Sequence, residues 1–229
     1  TGIDIFEEKD ASMPSRGWKR ARHNQPWYIG DTINVGIGQG YWTVTPLQLA
    51  QATSILVNRG EIKQPHLLKA TAEARDSINT MPEFSDLLYD EKPPVQLKNP
   101  DNWKYVLDAM HATVQKKGAG ANPAFKGSHY DAAGKTGTAQ LVSIAEDKKY
   151  DANAISERHR DNAMFIAFAP YEAPEIVVAV AVENVAKGGG GTNAAPVARQ
   201  ILDQYFGDRT FGEITKHNAA TLDNSIEAF

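Results

Sequence analysis

The chain has 229 residues, 41% of them hydrophobic, with 24 Lys and Arg against 28 Asp and Glu, a formal net charge of -4. That is enough apolar material for one substantial core, and the acidic balance argues against a nucleic-acid partner. Cysteine is absent, which excludes disulfides and thiolate metal sites, and no run approaches the roughly 20 apolar residues a membrane helix needs.

Thr1-Gly2-Ile3-Asp4 opens as though it continued something upstream, and carries no signal-peptide pattern. Residues 12–28 read as an irregular segment rich in Pro and Trp, its cations Arg16, Lys19, Arg20 and Arg22 on a solvated loop rather than facing a polyanion. Residues 30–40 read as a short strand-like piece broken by glycines. Thr45-Pro46-Leu47-Gln48 then starts a helix: Thr45 caps, Pro46 suits the first turn, and Gln48 completes a capping box. Leu49, Ala52, Ile55 and Leu56 fall on one face of it, which predicts a buried helix ended by Asn58-Arg59-Gly60. Residues 63–102 are polar and punctuated by proline, a linker of strands or turns.

A second helix begins at Asp101-Asn102-Trp103, with Val106, Leu107, Met110 and Val114 at helical spacing and Gly118-Ala119-Gly120 closing it. Beyond a charged loop over 143–162, two near-continuous apolar runs, 163–170 and 176–182, are joined by a short link and predict an antiparallel hairpin covered on both faces. Gly188 to Gly191 reads as a flexible link; as an anion site before a helix it lacks a following cation, and a plain connector is preferred. Thr192 caps a closing helix whose stripe is Ala194, Val197, Ala198, Ile201, Leu202 and Tyr205, stopped by Gly207. Residues 1–209 thus form one domain portion, and 210–229 a polar, frayed tail. The expected architecture is α+β: an antiparallel sheet with helices on both faces, an α/β sandwich.

Chemistry concentrates between the second helix and the hairpin, at Gly134-Lys135-Thr136-Gly137-Thr138. Glycine inside a strand marks close approach to the backbone, so a peptide can lie along this stretch as one more strand. Lys135 supplies positive field, and the hydroxyls of Thr136 and Thr138 can hold a terminal carboxylate. The bland alternative is a Gly/Thr-rich edge strand with a solvated lysine. A phosphate loop fails, because G-x-x-x-x-G-K-[ST] needs glycine at position 129, which is His129, and a helix afterwards. His23, His66, His111, His129, His159 and His217 show no ligand spacing and read as ordinary surface or loop residues, so neither metal nor cofactor is expected.

Taken together, Val35-Gly36-Ile37-Gly38-Gln39-Gly40, Thr43-Val44-Thr45-Pro46-Leu47-Gln48-Leu49-Ala50, the Lys135 motif and the hairpin ending at Glu183-Asn184 resemble the penicillin-binding transpeptidases, related to the serine β-lactamases. Met13-Pro14, Trp18-Lys19, Pro26-Trp27-Tyr28 and Gly30-Asp31-Thr32-Ile33 are similar to the elongation-type class B branch in Gram-negative bacteria, the penicillin-binding protein 2 group. The resemblance covers Thr1 to about Gly207. It implies a D,D-transpeptidase that cross-links peptidoglycan stem peptides ending in D-Ala-D-Ala through an acyl-serine intermediate and is acylated by β-lactams. It further implies the periplasmic face of the inner membrane, and a SEDS-type glycan polymerase and elongation-complex proteins as partners of the full-length protein. Carried over, Lys135 and Thr138 are catalytic residues, Thr138 N–H being one oxyanion donor, and Thr136, Gly137 and Thr138 bind substrate.

One departure matters. No serine of this chain has a lysine three residues later, so the S-x-x-K nucleophile is missing. Ser77-Ile78-Asn79 fits the S-x-N pattern but lies in the polar linker and reads as a chance match. The expectation is therefore the C-terminal part of a transpeptidase domain, with nucleophile, second motif and membrane anchor upstream of Thr1. Taken alone, the alternative is a catalytically inert half serving at most as a binding or interaction surface.

Overall fold

The computed structural model describes residues 1–3, 5, 7–67, 92–142, 151, 154–210 and 213. Six α-helices order its described part: α1 (Arg16–His23), α2 (Ile29–Gly36), α3 (Pro46–Val57), α4 (Asp101–Gln115), the short α5 (Asn122–Phe125) and α6 (Ala195–Phe206). Three strands, β1 (Ala133–Ala139), β2 (Asn162–Ala169) and β3 (Ile176–Val182), form an antiparallel sheet in the order β1-β2-β3. Strands β2 and β3 are the predicted hairpin, Phe165 opposite Val180 and Phe168 opposite Val177.

Alternation along β2 decides which layer each side chain joins. Ala163, Phe165 and Ala167 pack with Val178 and Val180 against Phe125 of α5 and Ala195, Ala198, Leu202 and Phe206 of α6. Phe168 points the other way, into a smaller cluster with Met110 of α4 and Ala133 of β1, flanked by Leu56, Val57 and Leu107. Helices therefore cover both faces, as the apolar strands require. Phe165, Phe168, Leu202 and Phe206 are essentially fully buried, each contributing about 1.5–3 kcal/mol by removal from water.

Helix α3 starts as its sequence dictates. Thr45 Oγ1 accepts from Gln48 N at 3.2 Å, and Gln48 Oε1 accepts from Thr45 N at 2.8 Å. It ends with Arg59 and Gly60 at φ 53° and 104°, and Gly60 abuts the 95 segment so closely that a Cβ there would sit 2.2 Å from the Val95 carbonyl oxygen. The expectation of a buried helix is corrected: only Thr53 is buried, and Ala52 is exposed. Among the described residues, α3 reaches the core chiefly through Leu56 and Val57 at its C-terminal end. Similarly, Met110 and Val114 of α4 are buried while Val106 is exposed.

The first forty residues depart further from expectation. The supposed basic loop is helix α1, capped by Ser15 Oγ accepting from Trp18 N and closed by Asn24 in the left-handed region. Its cations Arg20 and Arg22 fall in the last turn, where the helix dipole favours them. Lys19 is not solvated: it is 2% exposed, with Nζ 2.5 Å from Asp31 Oδ2 and 4.6 Å from the centroid of the Tyr28 ring. Nor is the glycine-broken piece a strand. Asp31 accepts from Tyr28 N at 2.7 Å and so caps helix α2 at its third position, while the same carboxylate neutralises Lys19. The Lys19 hydrogen bond, then that of Tyr28 N–H, holds the Asp31 carboxyl below the usual carboxylate range. Ile29, Ile33 and Ile37 line the exposed side of α2, so its apolar periodicity marks no core face.

The Ser77 match, half of the charged 143–162 loop, and the tail apart from Thr210 and Glu213 lie outside the described residues.

Candidate active site

Lys135, Thr136, Gly137 and Thr138 occupy the middle of β1, which pairs with β2 on one side and, among the described residues, with no strand on the other. Lys135 stands opposite Ile166 and Gly137 opposite Met164; Thr136 and Thr138 stand opposite Phe165 and Ala163. Period-two alternation therefore sends the lysine toward the α4 face and both threonines toward the α6 face. What they share is the open edge. There, exposed Lys135 donates from Nζ to the Thr136 carbonyl at 2.7 Å. Main-chain groups in an antiparallel ladder face alternately the partner and away. The Thr136 carbonyl, reached from solvent by Lys135, belongs to the outward set, and Thr138, two residues on, presents its N–H and C=O the same way. The arrangement is a strand edge that no other strand covers among the described residues, with a cation beside it, suited to adding an extended peptide with a negative end.

Two clamps hold the N-terminal end of β1. On the α4 side, Asp131 meets His111 Nε2 at 2.8 Å and accepts from Gln115 Nε2 at 2.6 Å, while its carbonyl accepts from Tyr171 N at 3.0 Å. The Tyr171 ring stacks on His111, and its hydroxyl donates to Asp108. Burial first, then the Asp108 carboxylate, pushes the Tyr171 hydroxyl up to about 12, and that same bond holds Asp108 below its ordinary value. On the α6 side, buried Tyr130 donates to Asp203 Oδ1 at 2.8 Å; burial, then the carboxylate, drives its hydroxyl well above the ordinary tyrosine value.

The motif glycines answer to the protein's own core. A Cβ at Gly134 would lie 2.6 Å from both Phe165 Cζ and the Ile166 carbonyl oxygen, and one at Gly137 would lie 3.3 Å from Met164 Cβ. The part of the site that sequence reasoning missed is the glycine run, expected to be a flexible link. It leads instead into a π-helical turn, Gly190–Ala194, pressed onto the threonine face of β1. A Cβ at Gly190 would fall 2.1 Å from the Met164 carbonyl oxygen and 2.9 Å from Gly137 N; one at Gly191 would fall 2.1 Å from the Gly120 carbonyl oxygen and 3.5 Å from Thr136 Cγ2. Glycine is there for backbone proximity, not mobility. Four glycines in a row were the available signal. Thr192 also differs from expectation, closing the turn upon Gly189 while the α-helix begins at Ala195.

A cavity of about 470 Å³ lies elsewhere, among Trp18, His23, Tyr41 and Trp42; the candidate site is an open strand edge. Among the described residues no three His, Cys, Asp or Glu side chains converge as a metal site.

With this geometry in hand, the comparisons with known proteins agree on one family. The family model for the penicillin binding protein transpeptidase domain matches residues 1–203. Peptidoglycan D,D-transpeptidase MrdA of Haemophilus influenzae is 43% identical over 219 residues, covering 95% of this chain and 32% of the relative. A crystal structure of Pseudomonas aeruginosa PBP2 in complex with WCK 5153 superposes with a TM-score of 0.71 at 38% identity, covering 91% of this chain and 41% of that one. PBP2 of Helicobacter pylori, in a complex with MreC, superposes with a TM-score of 0.67 at 25% identity, covering 90% and 33%. The chain spans about a third of the length of the curated relatives it matches.

Proposed function

Because the chain belongs to the penicillin-binding protein transpeptidase family, we propose that it forms the C-terminal part of a peptidoglycan D,D-transpeptidase acting in cell elongation, and that β1 is its substrate strand. The supporting observation is the outer edge of β1, which no strand pairs among the described residues, with Lys135 exposed beside the outward main chain of Thr136 and Thr138.

In this reading the D-Ala-D-Ala end of a stem peptide lies along β1, its carboxylate held by Lys135 and the threonine hydroxyls. A serine hydroxyl from outside these motifs attacks the penultimate D-Ala carbonyl, and Thr138 N–H donates to the oxygen that becomes negative. One such aimed donor in a water-poor site is worth about 3–4 kcal/mol. Collapse expels the terminal D-Ala and leaves an acyl-serine ester, which the amine of a second stem peptide attacks. A β-lactam follows the same first step, its ring amide opening without loss of a leaving group. Similarity to MrdA, to a PBP2 in complex with MreC and to a peptidoglycan synthase complex that coordinates polymerization and crosslinking supports work alongside elongation-complex proteins and a SEDS-type glycan polymerase, at the periplasmic face of the inner membrane. Among the described residues no helix is long and apolar enough to cross a membrane.

The test is labelling of the full-length protein with a fluorescent penicillin. Lys135→Ala abolishes acylation while the protein stays folded; an unchanged acylation rate removes Lys135 from the mechanism. The second reading, an inert half, concerns these 229 residues alone and rests on the absence of any S-x-x-K serine. Mass spectrometry of the isolated chain after penicillin treatment is expected to find no penicilloyl adduct, and one adduct would overturn that.

A further inference from the structure

We propose that the segment Gly188–Gly191 is a template that sets the side-chain positions of the β1 threonines, and that Gly189 acts through it as a positioning residue for the Thr138 hydroxyl. The inference rests on the reading of β1 as the substrate strand and extends it to a part of the chain with no assigned role.

The run crosses β1 in register. A Cβ at Gly189 would approach Thr138, one at Gly190 would strike the backbone of Gly137, and one at Gly191 would approach Thr136. At Gly190 and Gly191 the obstacles include main-chain atoms of Met164, Gly137 and Gly120, so packing alone explains those glycines. Gly189 is different. Its backbone is extended, at φ -142° and ψ -157°, and its φ lies outside the left-handed region that favours glycine. The single atom within 4 Å of a Cβ there is Thr138 Oγ1, at 3.1 Å. No main-chain atom stands in the way of a Cβ at 189; what a methyl would disturb is the Thr138 hydroxyl, one of the two assigned to the substrate carboxylate.

The disturbance would fall on Thr138 because the turn resists movement. Gly189 N donates to Thr192 Oγ1 at 3.1 Å, the Gly189 carbonyl accepts from Asn193 N at 3.0 Å, and Asn193 Nδ2 donates to the Lys187 carbonyl at 3.0 Å. Thr138, by contrast, is exposed and turns about one bond. A shift of a few tenths of an ångström in Oγ1 misaligns a hydrogen bond to a charged oxygen, whose strength depends on distance and angle.

The test measures second-order acylation of the full-length protein by a fluorescent penicillin, which carries a carboxylate, for the parent, Gly189→Ala, Thr138→Ala and the double variant. Thr138→Ala is expected to lower the rate constant about tenfold or more, the loss of one hydrogen bond to a charged group. Gly189→Ala should lower it about fivefold or more with an unchanged melting temperature, and the double variant should be no slower than Thr138→Ala. Thr138→Ser, which keeps the hydroxyl and frees its rotation, should recover most of the rate in the Gly189→Ala background. Parent-like acylation by Gly189→Ala, losses that multiply in the double variant, or no recovery with serine overturns the inference while leaving the substrate strand in place. Parent-like acylation by Thr138→Ala instead overturns the reading of β1, and the inference falls with it.

Discussion

Gly134→Ala tests whether the close packing behind the substrate edge is as tight as the geometry says. The added methyl carbon would meet Phe165 Cζ and the Ile166 carbonyl oxygen, each at 2.6 Å. Carbon atoms in ordinary contact stand about 3.5–4.0 Å apart, so the ring must withdraw by about 1 Å. Phe165 is fully buried with the Phe125 ring centroid 5.9 Å away, which leaves it little space. The Ile166 oxygen belongs to the strand paired with β1 and moves only if the ladder does. Overpacking of this kind costs about 1–3 kcal/mol, against which alanine gains about 0.4–1 kcal/mol by restricting the unfolded chain. The net expectation is a loss of about 1–2 kcal/mol, and for a domain of this size each kcal/mol lowers the melting temperature by about 2–4 °C. Scanning calorimetry of the intact protein measures it, with Gly17→Ala as the control, since a Cβ there meets nothing within 4 Å. A Gly134→Ala protein melting at or above the parent temperature would refute the reasoning.

Three further outcomes follow from the described contacts. Asp31 has a lowered carboxyl pKa in the folded state, so its stabilisation is complete above its unfolded value of about 4 and is lost as pH falls through the folded value. Asp31→Asn should therefore destabilise at pH 7 and progressively less as the pH falls below about 4, and an effect on the denaturation midpoint that stays constant over that fall would contradict the Lys19 pairing. Tyr171→Phe removes the strongest influence holding Asp108 down, so the Asp108 carboxyl should titrate at higher pH by NMR; an unmoved titration denies that bond a role in solution. Leu202→Ala, at a fully buried position of α6, should cost about 2–5 kcal/mol, read as a lowered calorimetric transition.

Much of the site's address was legible in the chain. Glycine and threonine around Lys135 give no helical stripe, and the two apolar runs that follow have the length and linkage of a hairpin, so strand, edge and hairpin were all readable. The Thr45-Pro46-Gln48 helix start was equally plain, because a capping box is a local device. What escaped depended on partners distant in sequence. Helix α1 looked like a loop because its buried side chain is a lysine, whose counter-ion lies 12 residues away. Helix α2 looked like a broken strand because its isoleucines face solvent. The glycine run looked loose because composition reports the conformational freedom of glycine, whereas the backbone of Gly137 and Met164, some 25 to 50 residues earlier, removes it.

An open sheet margin is also a hazard. A row of unsatisfied main-chain groups invites the same margin of another molecule, and a charged side chain standing on it is a common safeguard against such stacking. Lys135 stands on that margin in β1. Replacing it by a neutral residue would thus make molecules more prone to join margin to margin, most of all in concentrated solution, and the solubility of such a variant reports on a protective duty separate from its chemistry.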